Sequence, residues 1–279
     1  MICCTLSNGV QIPGIGFGCY KLPEETGEEI LLSAIRAGYR HFDTASIYHT
    51  EGVLGRAVRN SGLPREDFFL TSKLWKDQMD DPMSAFQASL EALGTDYLDL
   101  YLIHWPRPDL ERKDWNELDI KVWRCLEQLY QKGAVRAIGV SNFLPHHLMN
   151  LLGRCAVRPM VNQLEYHPGY IQEAAVRWCQ SQNIQVEGWS PIGRMRLKDE
   201  PLLVQLAEKY HVTVPQLCLR FAVQNQIIPL PKSSSPERMA QNLDLFGFQL
   251  SEEDLFRIRT LPQLGWGGEH PDRERVKDV

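Results

Sequence analysis

Asp96-Tyr97-Leu98-Asp99-Leu100-Tyr101-Leu102-Ile103-His104 is apolar for most of its length and turns polar at its last residue. A near-continuous apolar run of this length reads as a strand covered on both faces, as in a parallel sheet. Seven further runs have the same character, which puts strands at residues 14–19, 40–44, 68–73, 98–104, 136–140, 160–164, 185–190 and 227–231. Amphipathic stretches with helical spacing separate them. Residues 28–37 turn Ile30, Leu31, Ala34 and Ile35 to one side, and residues 118–131 do the same with Val122, Leu126 and Leu129. Asp81-Pro82 and Ser235-Pro236 each combine a cap with Pro at the first helical position. Eight βα units in roughly 250 residues fit an α/β (β/α)8 TIM barrel, ahead of an open doubly wound sheet. Leu6-Ser7-Asn8-Gly9-Val10-Gln11 carries an Asn-Gly turn and predicts an N-terminal β-hairpin that closes the barrel's bottom. Residues 1–279 are expected to form one such domain, with a C-terminal tail from about residue 262. That tail is glycine-rich and then charged, and either crosses the mouth or is disordered.

The chain has 279 residues and a formal net charge of −5, which offers no basic field to nucleic acid or an anionic membrane. No stretch approaches the roughly 20 apolar residues that span a bilayer. The seven cysteines are odd in number and contain no C-x-x-C pair, so reduced thiols and a cytoplasmic address are expected. A monomer acting on a small molecule is the expected state.

In a parallel barrel the C-terminal strand ends share one mouth, and catalytic groups come from several of them. Here the strands end in Asp43, Lys73, His104, Ser141-Asn142, Asn162-Gln163, Ser190 and Lys232-Ser233. One polar strand end is most often where the chain meets water; a set on nearly every strand implies a site. Asp43, Lys73 and His104 end consecutive strands and Tyr48 lies just beyond Asp43, so the four can converge. Together they permit proton donation. A free Tyr has a pKa of about 10, and an ammonium about 4 Å away at an effective dielectric near 20 stabilises its phenolate by about 4 kcal/mol before desolvation. Lys73 is therefore expected to make Tyr48 a usable acid, with Asp43 keeping the lysine charged. A neutral His104 would direct an N–H at a carbonyl oxygen. The plainer alternatives are a structural ion pair for Asp43 and Lys73 and packing for Tyr48.

Asp43-Thr44-Ala45-x-x-Tyr48, Thr71-Ser72-Lys73-Leu74-Trp75, the stretch from Asp96 to Trp105-Pro106, Ile138-Gly139-Val140-Ser141-Asn142-Phe143 and Pro231-Lys232-Ser233 resemble, in order, the signature segments of aldo-keto reductases. The resemblance implies an NADPH-dependent oxidoreductase that reduces aldehydes, ketones or α-dicarbonyls to alcohols by hydride transfer. Tyr48 would be the general acid, Lys73 and Asp43 would tune it, and His104 would orient the carbonyl.

Gly14-x-Gly16-x-Gly18 lacks the ending of a dinucleotide fingerprint and follows a hairpin rather than a central strand. The better anion site is Lys232-Ser233-Ser234-Ser235-Pro236-Glu237-Arg238, because cations at the start of a helix oppose its dipole unless an anion binds there. A solvated serine-rich cap is the plainer reading. By resemblance, Lys232, Ser233, Arg238 and Asn242 would hold the adenosine 2′-phosphate and adenine, with Gln241 where a Glu is common. Ser141, Asn142 and Gln163 would bond the nicotinamide carboxamide, Trp189 would stack on its ring, and Ser190 would complete the cofactor set. Tyr20, Trp75 and Trp105 are expected to rim the substrate pocket. The segment 194–201 is shorter than the loop that covers the pyrophosphate in many animal members, and His49-Thr50-Glu51 follows Tyr48 where Asn-Glu is usual.

Two other functions compete. A metal-dependent hydrolase would draw on Asp43, His104, His146, His147 and His167, but the proposed mouth collects too few of them and Lys73 repels a cation, so no metal is expected. A reductase-like, cofactor-binding regulatory subunit with little turnover would not need the full Asp43, Tyr48, Lys73 and His104 set.

Overall fold

The computed structural model describes residues 3–276. A hairpin of β1 (Cys3–Thr5) and β2 (Gln11–Pro13) opens the chain. Its loop has three residues rather than two: Leu6 pairs with Val10, and Gly9 alone takes the left-handed conformation, with φ 88°. Ile12 is fully buried, and Asn8 Nδ2 donates to the carbonyl of Arg136 at 2.9 Å, at the start of a barrel strand. The hairpin thus plugs the N-terminal end of the barrel.

Eight parallel strands follow: β3 (Phe17–Gly18), β4 (His41–Asp43), β5 (Phe69–Leu74), β6 (Leu98–Ile103), β7 (Val135–Ser141), β8 (Val161–Glu165), β9 (Gln185–Trp189) and β10 (Ile227–Leu230). Each pairs with the next in chain order. Closure falls to Gly16 and Gly18, whose N–H groups donate to Pro229 O and Pro231 O, both at 3.0 Å. Pro229 and Pro231 have no N–H to return, so this seam is bonded in one direction only. The glycines serve this close approach: a Cβ on Gly16 would come within 2.6 Å of Leu230 and 2.7 Å of His41. That is why regular β3 pairing covers two residues of the expected strand at 14–19.

Ten helices wrap the barrel: α1 (Glu24–Ala37), α2 (Glu51–Asn60), α3 (Pro82–Leu93), α4 (Trp115–Gln131), α5 (Pro145–Leu152), α6 (Glu173–Ser181), α7 (Pro201–Tyr210), α8 (Val214–Gln224), α9 (Pro236–Leu243) and α10 (Glu252–Arg259), counted among the described residues. Asp81 and Ser235 cap α3 and α9 as expected, accepting from Ser84 N at 3.2 Å and Arg238 N at 3.4 Å. None of these helices is long and apolar enough to cross a membrane. Along β6, Tyr101 points outward onto Phe86 of α3, with ring centroids 5.1 Å apart, so the alternate residues Leu100 and Leu102 point into the barrel. Asp99, the odd acid in that strand, is fully buried and binds Arg65 at 2.8 Å and Arg136 at 2.7 Å.

Residues 262–276 lie across the loops at the strands' C-terminal ends. Leu264 N donates to Gly169 O at 3.1 Å, and Trp266 stacks on Tyr170 with centroids 6.0 Å apart. Asp272 pairs with Arg107 and lies 3.2 Å from His146 Nε2 and 3.1 Å from His147 Nε2. These contacts order the tail along one side of the rim, over the loops that follow β6, β7 and β8. The same contacts take His146 and His147 away from Asp43 and His104. His147 Nδ1 accepts the N–H of Leu144 at 3.1 Å, which leaves its Nε2 protonated and directed at Asp272.

Candidate active site

The end of β4 brings Asp43 beside β5, and the inward-facing Lys73 meets it. Lys73 Nζ donates to Asp43 Oδ1 at 2.6 Å and to Thr44 O at 2.8 Å, with the lysine side chain fully buried. Tyr48 ends a 3-10 turn over Ser46–Tyr48, and this turn is fixed from below. Ser46 Oγ is within 3.1 Å of Lys73 O and 2.7 Å of Gln78 Oε1, while the hydroxyls of Thr44 and Thr50 meet at 2.8 Å. The Tyr48 hydroxyl lies 3.3 Å from His104 Nε2, and the Lys73 ammonium lies 5.0 Å from the centroid of the Tyr48 ring. Asn142 Nδ2 donates to His104 O at 3.0 Å, tying the strand end to the next one. Asp43, Tyr48, Lys73 and His104 therefore share one small volume.

The charges in that volume act differently from the sequence-based expectation. Burial raises the Tyr48 pKa to about 12, and Lys73 offsets only part of that rise. Burial alone would lower the Lys73 pKa, but Asp43, Tyr48 and Glu187 hold it above its ordinary value. Burial, with Lys73 and Lys76 nearby, holds His104 well below the usual histidine range, so the ring is neutral. The expected fall in the Tyr48 pKa is reversed because burial outweighs the pull of Lys73, and the nearby Asp43 carboxylate adds to the rise.

Beneath the four groups lies a layer that strand patterning missed. Gln163 Nε2 donates to Asp43 Oδ2 at 2.8 Å and to Glu187 Oε2 at 2.9 Å, and Glu187 Oε1 is 3.5 Å from His41 Nε2. All are buried. Burial and then Asp43 push Glu187 up to about 8, whereas burial brings His41 down to about 3. Folding thus holds a proton on Glu187 and strips one from His41 and His104. Below the ordinary histidine value of 6.5 these effects oppose each other; between 6.5 and about 8 only Glu187 remains. Stability should fall through that upper window as pH rises, by at most about 1.4 kcal/mol per pH unit, because the native state binds the extra proton. Glu187→Gln should flatten this limb in urea unfolding at the two ends of the window. An equal decline in both proteins would remove Glu187 as its source.

The cofactor candidates fall in two groups. Ser141 ends β7, Asn142 follows it and Gln163 lies in the middle of β8; all three are buried. Both Gln163 amide hydrogens are used on the carboxyl groups of Asp43 and Glu187, so toward a ligand this side chain can only accept. Asn142, at φ 62°, accepts from Trp189 Nε1 at 3.0 Å, which fixes the indole at the edge of the site. Ser190 follows in a left-handed conformation, with φ 51°. At the other end, Lys232 and Arg238 are exposed around the N-terminus of α9, and neither joins an ion pair among the described residues. Cations beside a positive helix end, with Glu237 the one acid in that first turn, are the residue types that would receive a phosphate there. Ser233 is buried and accepts from Ser235 N at 3.1 Å; Gln241 is half-buried, and Asn242 is buried against Tyr39.

Aromatic rings rim the mouth. Tyr20, 48% exposed, has its ring centroid 4.9 Å from that of Tyr48, and Trp75 lies edge-on to His104 at 5.0 Å. Trp105 is half-buried under Lys76.

The model of the aldo/keto reductase family matches residues 14–262. The chain is an aldo-keto reductase. As such it is an oxidoreductase that works with NADP(H). This reductase is 44% identical over 272 residues to a glyoxal reductase of Bacillus subtilis, covering 96% of this chain and 95% of that one. It is 35% identical over 270 residues to a methylglyoxal reductase of Escherichia coli O157:H7, covering 96% of each. Among solved structures, a Bombyx mori aldo-keto reductase in complex with NADP superposes with a TM-score of 0.86 at 34% identity, over 99% of this chain and 95% of that one.

Proposed function

We propose that this reductase converts small aldehydes and α-dicarbonyls, of the kind that glyoxal and methylglyoxal represent, to alcohols, with Tyr48 delivering the proton. The observation that carries this is the meeting of the Tyr48 hydroxyl and His104 Nε2 at 3.3 Å above the Lys73–Asp43 pair. The glyoxal and methylglyoxal reductases among its relatives support the substrate class.

When bound, the reduced nicotinamide supplies the hydride to the carbonyl carbon. The protein's own part is to hold the carbonyl oxygen between Tyr48 and His104. Neutral His104 orients that oxygen without competing as an acid. As the carbon–oxygen double bond is lost, its oxygen becomes a stronger base than a phenolate, so the Tyr48 proton moves to it downhill despite a pKa of about 12. Lys73, kept charged by Asp43, stabilises the phenolate left behind. Trp189, Ser141, Asn142, Gln163 and Ser190 would hold the nicotinamide, and Lys232, Ser233, Arg238, Gln241 and Asn242 the adenosine end. Tyr20, Trp75 and Trp105 would shape the pocket for a small substrate.

The same reading takes residues 1–279 as one barrel domain with its tail from about 262, working as a cytoplasmic monomer. All seven cysteines are free, the state a reducing compartment maintains.

The test is steady-state turnover of methylglyoxal followed by loss of reduced-nicotinamide absorbance, with both cofactors. NADPH-dependent turnover is expected; negligible turnover would favour the regulatory-subunit reading instead. Arg238→Ala should raise KM for NADPH by roughly tenfold or more, the scale of a lost charge-assisted hydrogen bond, and affect NADH far less. Equal losses would remove Arg238 from the 2′-phosphate.

A further inference from the structure

Lys76 follows Trp75 as the first residue of a 3-10 turn over Lys76–Gln78. Its ammonium lies 5.0 Å from the centroid of Trp105 and 5.7 Å from that of Trp75, whose ring is 5.0 Å from His104. The side chain is half-buried, and among the described residues no carboxylate pairs with it.

Three acids face it from further off: Asp109 in the loop after β6, and Glu269 and Glu274 in the tail. Asp109 Oδ1 is taken up by the backbone N–H groups of Glu111 and Arg112, at 2.9 and 2.8 Å, and Glu269 by Arg275 at 3.0 Å. Their pull does not overcome burial, which lowers the lysine's pKa. Its charge also reaches the neighbouring His104 ring.

An ammonium half stripped of water, set against two indole faces and left without a counterion, is built to receive an anion. Trp75, which it covers, lies edge-on to His104, so that anion falls within a substrate's length of the site. We propose that Lys76 selects carbonyl substrates that carry a carboxylate, pairing with it while the carbonyl sits at Tyr48 and His104. The proposal rests on the active site described above and places oxo acids first among the carbonyl compounds that site reduces. The indoles exclude water from the ion pair and so strengthen it.

Succinic semialdehyde and butanal share a four-carbon aldehyde chain and differ in the terminal carboxylate. Lys76→Gln should lower kcat/KM for succinic semialdehyde roughly tenfold to a hundredfold, mostly through KM, and lower that for butanal by only a few-fold. Lys76→Arg should keep most of the preference, and Lys76→Glu should push it below that of Lys76→Gln. Equal losses on both substrates in Lys76→Gln would reduce Lys76 to packing on the indoles and overturn the proposal. So would an unaltered ratio. A Tyr48→Phe control separates the two levels: if it leaves wild-type rates on both aldehydes intact, the site assignment fails whatever the ratio does.

Discussion

Tyr48→Phe should lower kcat at least a hundredfold and leave the dissociation constant for NADPH within a few-fold of wild type. Removing a positioned general acid costs a factor of about 10² to 10⁴. The substitution deletes one oxygen and keeps the ring, which packs 4.9 Å from Tyr20 and 5.5 Å from His104, so the rim and the fold should persist. The loss should appear in kcat and kcat/KM alike, because the proton is transferred only as the alcohol forms. Steady-state kinetics with methylglyoxal and a fluorescence titration of NADPH would check both halves. A kcat within a few-fold of wild type would refute Tyr48 as the acid.

Lys73→Met should be the most damaging single change to the barrel. The ammonium is fully buried, and its loss would leave Asp43 inside the protein with Gln163 as its remaining side-chain partner. Breaking a buried ion pair from one side costs about 3–5 kcal/mol. At roughly 2–4 °C per kcal/mol for a chain of this size, the melting temperature should fall by about 10 °C. Activity should fall as well, since nothing would then stabilise the Tyr48 phenolate. The double change Lys73→Met with Asp43→Leu separates the two effects. It should recover much of the stability and none of the rate, because the uncompensated carboxylate is gone but the ammonium is still missing. Unaltered melting in Lys73→Met would show that the pair does not carry the barrel's upper layer.

The barrel was readable because strands covered on both faces leave long apolar runs, as in residues 98–104, and because caps such as Asp81 and Ser235 act within four residues. The polar strand ends were readable for the same reason, since a sheet's direction sets which end of each run meets the mouth. Glu187, His41 and the two bonds from Gln163 were not. Alternation says that these side chains point inward, but which of them meet depends on the register between strands distant in sequence. The sign of the Tyr48 shift failed similarly: spacing suggested a nearby cation, whereas the depth of burial came only from packing. The tail's course has no local signal either, because Asp272 finds Arg107, His146 and His147 far back along the chain.

The one-way seam at Gly16 and Gly18 bears on how the chain is made. Its acceptors, Pro229 and Pro231, are synthesised almost a whole barrel later than its donors. The first edge of the sheet therefore has no partner until the last strand is made. Lys73 and Asp43 are sealed from water only in the closed barrel, where the lysine is fully buried. The final, most sequence-distant contacts seal it, and contacts of that range are the slow ones to form.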